Sequence, residues 1–305
     1  MRRLHAALQA DEPLHWAVFG RVAFGAIFLL CTLQFMPHLL PLFGADGLMG
    51  PASLERVFGA SQGGLLHLQV ALPDGAIVAL YVALLASALA FLLGFRTRTA
   101  GVLLLVLHGL FWGRQPLVYS GWPHAAQCFV AYLILADAGR YGSLDARRAG
   151  RQGVGVGPAW PRRLFQVHLS LLYLSIGLPR LVDGAWLGGL MVYAALTYDR
   201  YARFAVDWQP WLGPLHLLDW ATLCLEPLAG LLLWWKRARA PLIVALVGLH
   251  GGLELLTRTG WWQFVMVAAL LAFTPQPWLE SAWARLRDPV GRSRSFPGRN
   301  ARGVH

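Results

Sequence analysis

Long apolar runs alternate along the chain with short polar breaks marked by arginine. Eight runs are candidate spans, over 15–36, 73–94, 99–113, 121–138, 162–181, 217–235, 240–257 and 260–275. Alanine, leucine and glycine dominate them, and small residues let membrane helices pack closely. A hydrocarbon layer about 30 Å thick needs about 20 helical residues, so the shorter runs draw on their flanks. The pattern predicts an all-α, polytopic integral membrane helical bundle of about eight transmembrane helices. It forms one domain over 1–288, followed by a basic, disordered tail over 289–305. The first run follows a polar start without a small-residue cleavage site, and reads as a retained helix.

Composition agrees. The chain is 57% hydrophobic and 13% charged, whereas soluble domains carry about 25% charged residues. The net charge of +11 is no nucleic-acid signature, because the basic residues sit between apolar runs, as topology signals do. With the N-terminus inside, 19 basic residues fall on inside segments and six (Arg56, Arg114, Arg180, Arg200, Arg203 and Arg258) on outside segments. This asymmetry predicts that both termini are cytoplasmic, with localisation as a multi-pass cell-membrane protein, here a bacterial inner-membrane one. Cys31, Cys128 and Cys224 all lie inside apolar runs without metal spacing, and read as small buried hydrophobes.

Two outside segments are long. Residues 37–72 open on a turn-rich stretch, and 182–216 hold enough tryptophan and tyrosine to suit helices lying at a membrane surface. The inside stretch 139–161, rich in glycine and arginine, reads as a flexible connector.

Polar residues inside the runs are costly unless they pair or line a cavity. Under this topology most fall in the outer half: His108, His124 and Gln127, Tyr173 leading to Arg180, Asp183 and Trp186, then Asp219, Glu226, His250 and Glu254. The pattern points to a cavity facing the outer leaflet that holds an amphiphilic ligand. Helix-to-helix hydrogen bonding without a ligand is the competing reading. Gln166 and His168 lie nearer the inner side and read as structural. His250 and Glu254, four apart, share a helix face and suit a core His–Glu pair better than a metal site. No metal is expected. Zinc-hydrolase, serine-elbow, phosphate-loop and dinucleotide motifs are all missing.

Over about residues 15–280 the sequence resembles the HTTM domain family, the vitamin K-dependent gamma-carboxylase-like transmembrane proteins. The resemblance is carried by Arg21-x-x-x-Gly25, Phe43-Gly-Ala-Asp46-Gly47, and His124 followed by Asp137-Ala-Gly-Arg140-Tyr141-Gly-Ser143-Leu-Asp145. Tyr173-x-x-x-Gly177-Leu-Pro-Arg180-Leu-x-x-x-x-Trp186, Glu226-Pro227 and His250 also contribute. It implies candidate catalytic positions at His124 and Arg180 and a reduced quinone cofactor, of menaquinol or vitamin K hydroquinone type. At the position of Arg180 the family's carboxylase has a lysine that acts as base. Arginine does not deprotonate, and Lys236, the only lysine, falls in an inside loop.

Three functions follow. The first is a pocket protein binding a quinone- or lipid-like molecule, with membrane lipids as partners and no protein partner identified. The second is an epoxidising or quinol-oxidising enzyme, with His124 or His250 as base and Arg180 as oxyanion stabiliser. The third is a transporter, ranked last because no inverted repeat is visible. In the first reading His108, Gln127, Tyr173, Asp183, Trp186, Glu226 and Glu254 are the ligand-binding candidates. Gamma-carboxylation of proteins does not fit a chain without the lysine.

Overall fold

The structure, a computed structural model, describes residues 8–48, 72–113 and 121–287. Much of the segment 37–72, Arg114 and the tail 289–305 lie outside the described residues. All eight apolar runs contain helix. They give α1 (His15–Phe35), α3 (Asp74–Leu93), α4 (Thr97–Gly113), α5 (Trp122–Leu135), α7 (Trp160–Arg180), α10 (Leu212–Leu232), α11 (Lys236–Leu256) and α12 (Trp262–Ala269). The shorter helices are α2 (Leu39–Phe43), α6 (Leu144–Arg148), α8 (Gly184–Leu187), α9 (Met191–Thr197) and α13 (Gln276–Arg287). Two three-residue strands, β1 (Asp11–Pro13) and β2 (Val156–Pro158), pair antiparallel with Asp11 opposite Pro158.

Four stretches are long and apolar enough to cross a membrane: His15–Phe43, Asp74–Leu93, Gln209–Leu232 and Lys236–Leu256. α4 is apolar but shorter. α12 continues only into a 3-10 turn over Leu270–Ala272. α7 has 21 residues, but Arg162, Arg163, Gln166 and His168 make its first half polar. Large apolar side chains stand exposed on the outer faces, among them Val82, Leu103, Leu171, Leu217, Val244 and Leu255. So much unpaired apolar surface suits a lipid environment, not water.

The core forms where α1, α5 and α7 meet. Phe24, Phe129 and Phe165 are buried there, with the rings of Phe129 and Phe165 stacked at 4.3 Å. α1 packs along α3, α3 along α4, and α7 along α10. Gly177 makes the last pairing possible. A Cβ at that position would sit 2.7 Å from Pro227 Cδ and 2.8 Å from its nitrogen, so only glycine lets the two helices approach this closely.

Successive long helices run in opposite directions, and the bundle therefore has two distinct ends. At one end, Arg21 of α1 donates to the carbonyls of Phe91 and Leu92, which close α3, and to that of Gly142. There too Arg162, opening α7, donates to the carbonyls of Ala272 and Thr274. Free carbonyls at helix ends need such donors once buried. At the opposite end the Trp261 indole N–H donates to Gln34 Oε1 at 3.0 Å, and Arg203 bonds the end of α11. Arg96, Arg98, Arg140, Arg147 and Arg151 stand at the first end, and Arg180, Arg200, Arg203 and Arg258 at the second.

The expected flexible connector over 139–161 is corrected by the structure. Ser143 caps α6 by accepting from Ala146 N at 2.9 Å and donates to the Gly139 carbonyl. Asp145 accepts from Arg96 N, Thr97 N and the Thr97 hydroxyl, each at 2.8 Å. Burial pushes the Asp145 carboxyl up, but these hydrogen bonds, with the Arg148 charge, outweigh it and hold it below its ordinary value. Gly94, with φ +70°, ends α3 beneath Ser143, where a Cβ would meet the serine's own Cβ at 2.3 Å. The Asp137–Asp145 run is a capping knot, and its glycines and arginines are ordered by it.

Candidate functional site

The close approach of α7 and α10 at Gly177 sets Arg180, the last residue of α7, against Glu226 of α10. The two form an ion pair. Asp183 then caps α8, accepting from Ala185 N at 2.8 Å and Trp186 N at 3.4 Å. The short helix it starts carries Trp186 back under Arg180, with the guanidinium carbon 4.2 Å from the ring centroid. A flat, delocalised cation suits both contacts; an ammonium would serve them less well. Arg180 is thus engaged on two sides. Asp183 serves as a cap, and nothing in the structure gives it a ligand.

Next to this pair runs a chain of hydrogen bonds across three helices. Tyr173 of α7 meets His250 Nε2 of α11 at 3.1 Å. His250 Nδ1 meets Gln263 Oε1 of α12 at 2.6 Å. Gln263 Nε2 donates to Thr259 Oγ1 at 3.2 Å. The network assigns the tautomer: an amide oxygen can only accept, so Nδ1 carries the proton and Nε2 accepts from the tyrosine hydroxyl. Tyr173 and His250 are each 1% exposed. Tyr173 and Arg180 lie on the same helix, α7, which carries both arrangements.

Beside the cluster lies a cavity of about 650 Å³ between α1, α11 and α12. Its walls are mainly apolar, including Ile27, Val247, Phe264 and Val267, and its polar contributors are His250, Glu254 and Gln263. Leu255 and Phe264 are well exposed on its rim, so it opens sideways through the helix bundle's outer face.

His250 and Glu254 do not pair with each other, which corrects the expected core His–Glu pair. Glu254 turns toward the segment after α9. Arg203 Nη2 donates to Glu254 Oε1 at 2.9 Å, and also to the backbone carbonyls of Glu254 and Thr257. The other oxygen, Oε2, is buried and has no hydrogen-bond partner among the described residues. A buried acceptor left without a donor costs about 1–3 kcal/mol, which the Arg203 ion pair on the same carboxylate offsets in part.

The remaining candidates lie apart from this cavity. His108 meets Gln127 across α4 and α5 at 3.0 Å and packs among Phe28, Trp112 and Trp122. His124 is exposed and has no hydrogen bond or ion pair among the described residues. Asp219 holds α9 onto α10 by accepting from Val192 N at 3.0 and 3.1 Å. Gln166 donates to the Ala272 carbonyl at 2.7 Å, the structural role its depth suggests. No group of three or more metal-ligating side chains comes together among the described residues, and the three cysteines are unpaired. The sequence reading misses Gln263, Thr259 and Arg203. Gln263 is legible only as the single amide of its run, and Arg203 only as an outside charge.

Long apolar helices with lipid-suited outer faces, and polar groups gathered in the interior, define a polytopic helical membrane protein. The sequence profile of the HTTM domain matches residues 64–278, and the chain belongs to the HTTM domain family. No solved structure matches it.

Proposed function

We propose that this protein binds a quinone- or lipid-like amphiphile in the cavity between α1, α11 and α12. The cavity's largely apolar walls, broken by His250, Glu254 and Gln263, carry this reading. These three side chains are where the polar head of the ligand would lie. The ligand's apolar tail lies along Val247, Leu255 and Phe264 and leaves through the side opening. The arginine-poor end is the outer one by the positive-inside rule. In this reading the eight long helices all cross the membrane, both termini are cytoplasmic, and the cavity serves the outer leaflet of a cell membrane, such as a bacterial inner membrane.

The test is to purify the protein from membranes and identify its lipids by mass spectrometry. A quinone or a single hydroxylated lipid class should be enriched well above its membrane abundance. Val267→Trp, which narrows the cavity, should cut the enrichment sharply, and Glu254→Gln should weaken it. Lipids in bulk proportion in all three proteins would exclude the reading.

The enzyme reading keeps one observation in its favour. The Tyr173–His250–Gln263 chain holds a neutral imidazole of defined tautomer at the cavity wall, a fitting proton acceptor for a hydroquinone. The imidazole would need to exchange its bond to Tyr173 for one to the substrate. Menaquinol or phylloquinol incubated with oxygen should then give epoxide or quinone at a rate lost in His250→Gln. Arg180, held by Glu226 and Trp186, supplies charge and not a base. Gamma-carboxylation of proteins forms no part of either reading.

A further inference from the structure

A second cavity, of about 530 Å³, lies at the arginine-rich end of the molecule and shares no lining residue with the cavity already described. It is bounded by α6 with the turn after it, the last turns of α13 and the end of α3. Three guanidinium groups line it, from Arg147, Arg151 and Arg287. None has an acidic partner among the described residues. The nearest carboxylates are occupied elsewhere. Asp145 has its oxygens taken by Arg96 N, Thr97 N and the Thr97 hydroxyl. Glu280 accepts from Gln276 at 3.0 Å.

The rest of the lining is apolar: Leu93, Leu144, Leu286 and Trp283. Leu93 and Leu286 are 48% and 67% exposed, so the cleft runs onto the outer face of the bundle along α3. The Trp283 indole N–H is buried without an acceptor. Three arginines without acidic partners among the described residues thus line a site with greasy walls that continues along a lipid-suited helix.

We propose that this cleft binds the phosphate of an anionic glycerophospholipid, with the acyl chains laid along the exposed face of α3. A free phosphate would satisfy the guanidinium groups but would leave Leu93 and Leu286 bare. A zwitterionic lipid would bring its own cation against three arginines. An anionic lipid answers both the charge and the apolar surface. The site is independent of the proposed quinone or lipid cavity and shares no residue with it.

The test uses the full chain in neutral detergent, with native mass spectrometry counting retained lipids. Phosphatidylglycerol should be retained at least roughly tenfold over phosphatidylcholine, given the attraction of several basic residues for an anionic headgroup. The Arg147→Gln/Arg151→Gln/Arg287→Gln variant should bring the two lipids close to parity, whereas Arg258→Gln, at the opposite end, should leave the preference intact. Leu286→Asp, which spoils the apolar wall and keeps the arginines, should also reduce retention. Val267→Trp should change nothing here. Each variant is checked for its thermal unfolding midpoint, and should one fail to fold, the wild type alone still decides through competition. Inorganic phosphate at millimolar concentration should not displace the lipid. Equal retention of both lipids by the wild type, an undiminished preference in the folded triple variant, or displacement by inorganic phosphate would each overturn the proposal.

Discussion

Arg180 keeps its place through two contacts that ask different things of one side chain. Glu226 takes its charge, and the Trp186 ring takes its flat face. Removing one member of such a pair leaves the other poorly compensated. Arg180→Leu and Glu226→Leu should each destabilise the protein by about 3 kcal/mol. The double substitution should recover most of that loss, because an apolar pair fills the space without an orphaned charge. Thermal unfolding in detergent reads all three; additive losses in the double variant would show that the pair is not a coupled unit. Among single residues, depth along a helix is legible in a sequence, because it follows from counting. Rotation around the helix axis is much less so. That is why depth groups His124 with Arg180, Tyr173, Glu226 and His250, whereas the structure leaves His124 exposed. Gln263 escapes notice for another reason: an amide among apolar residues carries no charge to betray it, yet it fixes the tautomer of His250.

At the level of elements, the α7–α10 contact decides whether the cluster exists. Gly177→Leu would force side-chain atoms into Pro227 and push the helices apart. The expected cost is about 1–3 kcal/mol from overpacking. The Arg180–Glu226 pair, one turn away, should be lost with it, so Gly177→Leu and Arg180→Leu should combine less than additively in unfolding experiments. Strict additivity would mean that the approach of the helices does not set the pair. Each apolar run contains a helix, with ends displaced by a few residues, and four stretches are long and apolar enough to cross a membrane. α10 starts at Leu212, before the run at 217, because a 3-10 turn over Gln209–Trp211 leads into it. The strands are hidden in the sequence. Each has three residues and ends in proline, and their pairing depends on Leu14 and Ala159 finding backbone partners in Gly155 and Ala10. The 139–161 connector looks loose because glycine and arginine usually make loose chain, but here long-range hydrogen bonds order it.

For the whole molecule, the sorting of arginines to two ends gives a directional expectation. An outside-active reporter fused after Arg151 should stay silent, and one fused after Arg203 should be active. Activity after Arg151 would reverse the orientation and move the Glu254 cavity to the other leaflet. The arginine count is readable without coordinates because topology is one-dimensional. The cavity is not readable that way. It needs Ile27 of α1 to meet Glu254 and Val267 from α11 and α12, near the other end of the described chain, and no local pattern encodes that meeting.

The Arg21 knot also bears on how the protein is made. Arg21 sits in α1, yet its acceptors at Phe91 and Gly142 come 70 and 121 residues later. At about 5–20 residues per second, α1 is made several seconds before the carbonyls that Arg21 finally reaches. Over that interval α1 is expected to rest near the headgroups, where water and phosphate can solvate the guanidinium, and to reach its final depth once the turn after α5 has been made. A helix translated ahead of its partners would thus be seated with them, not before them.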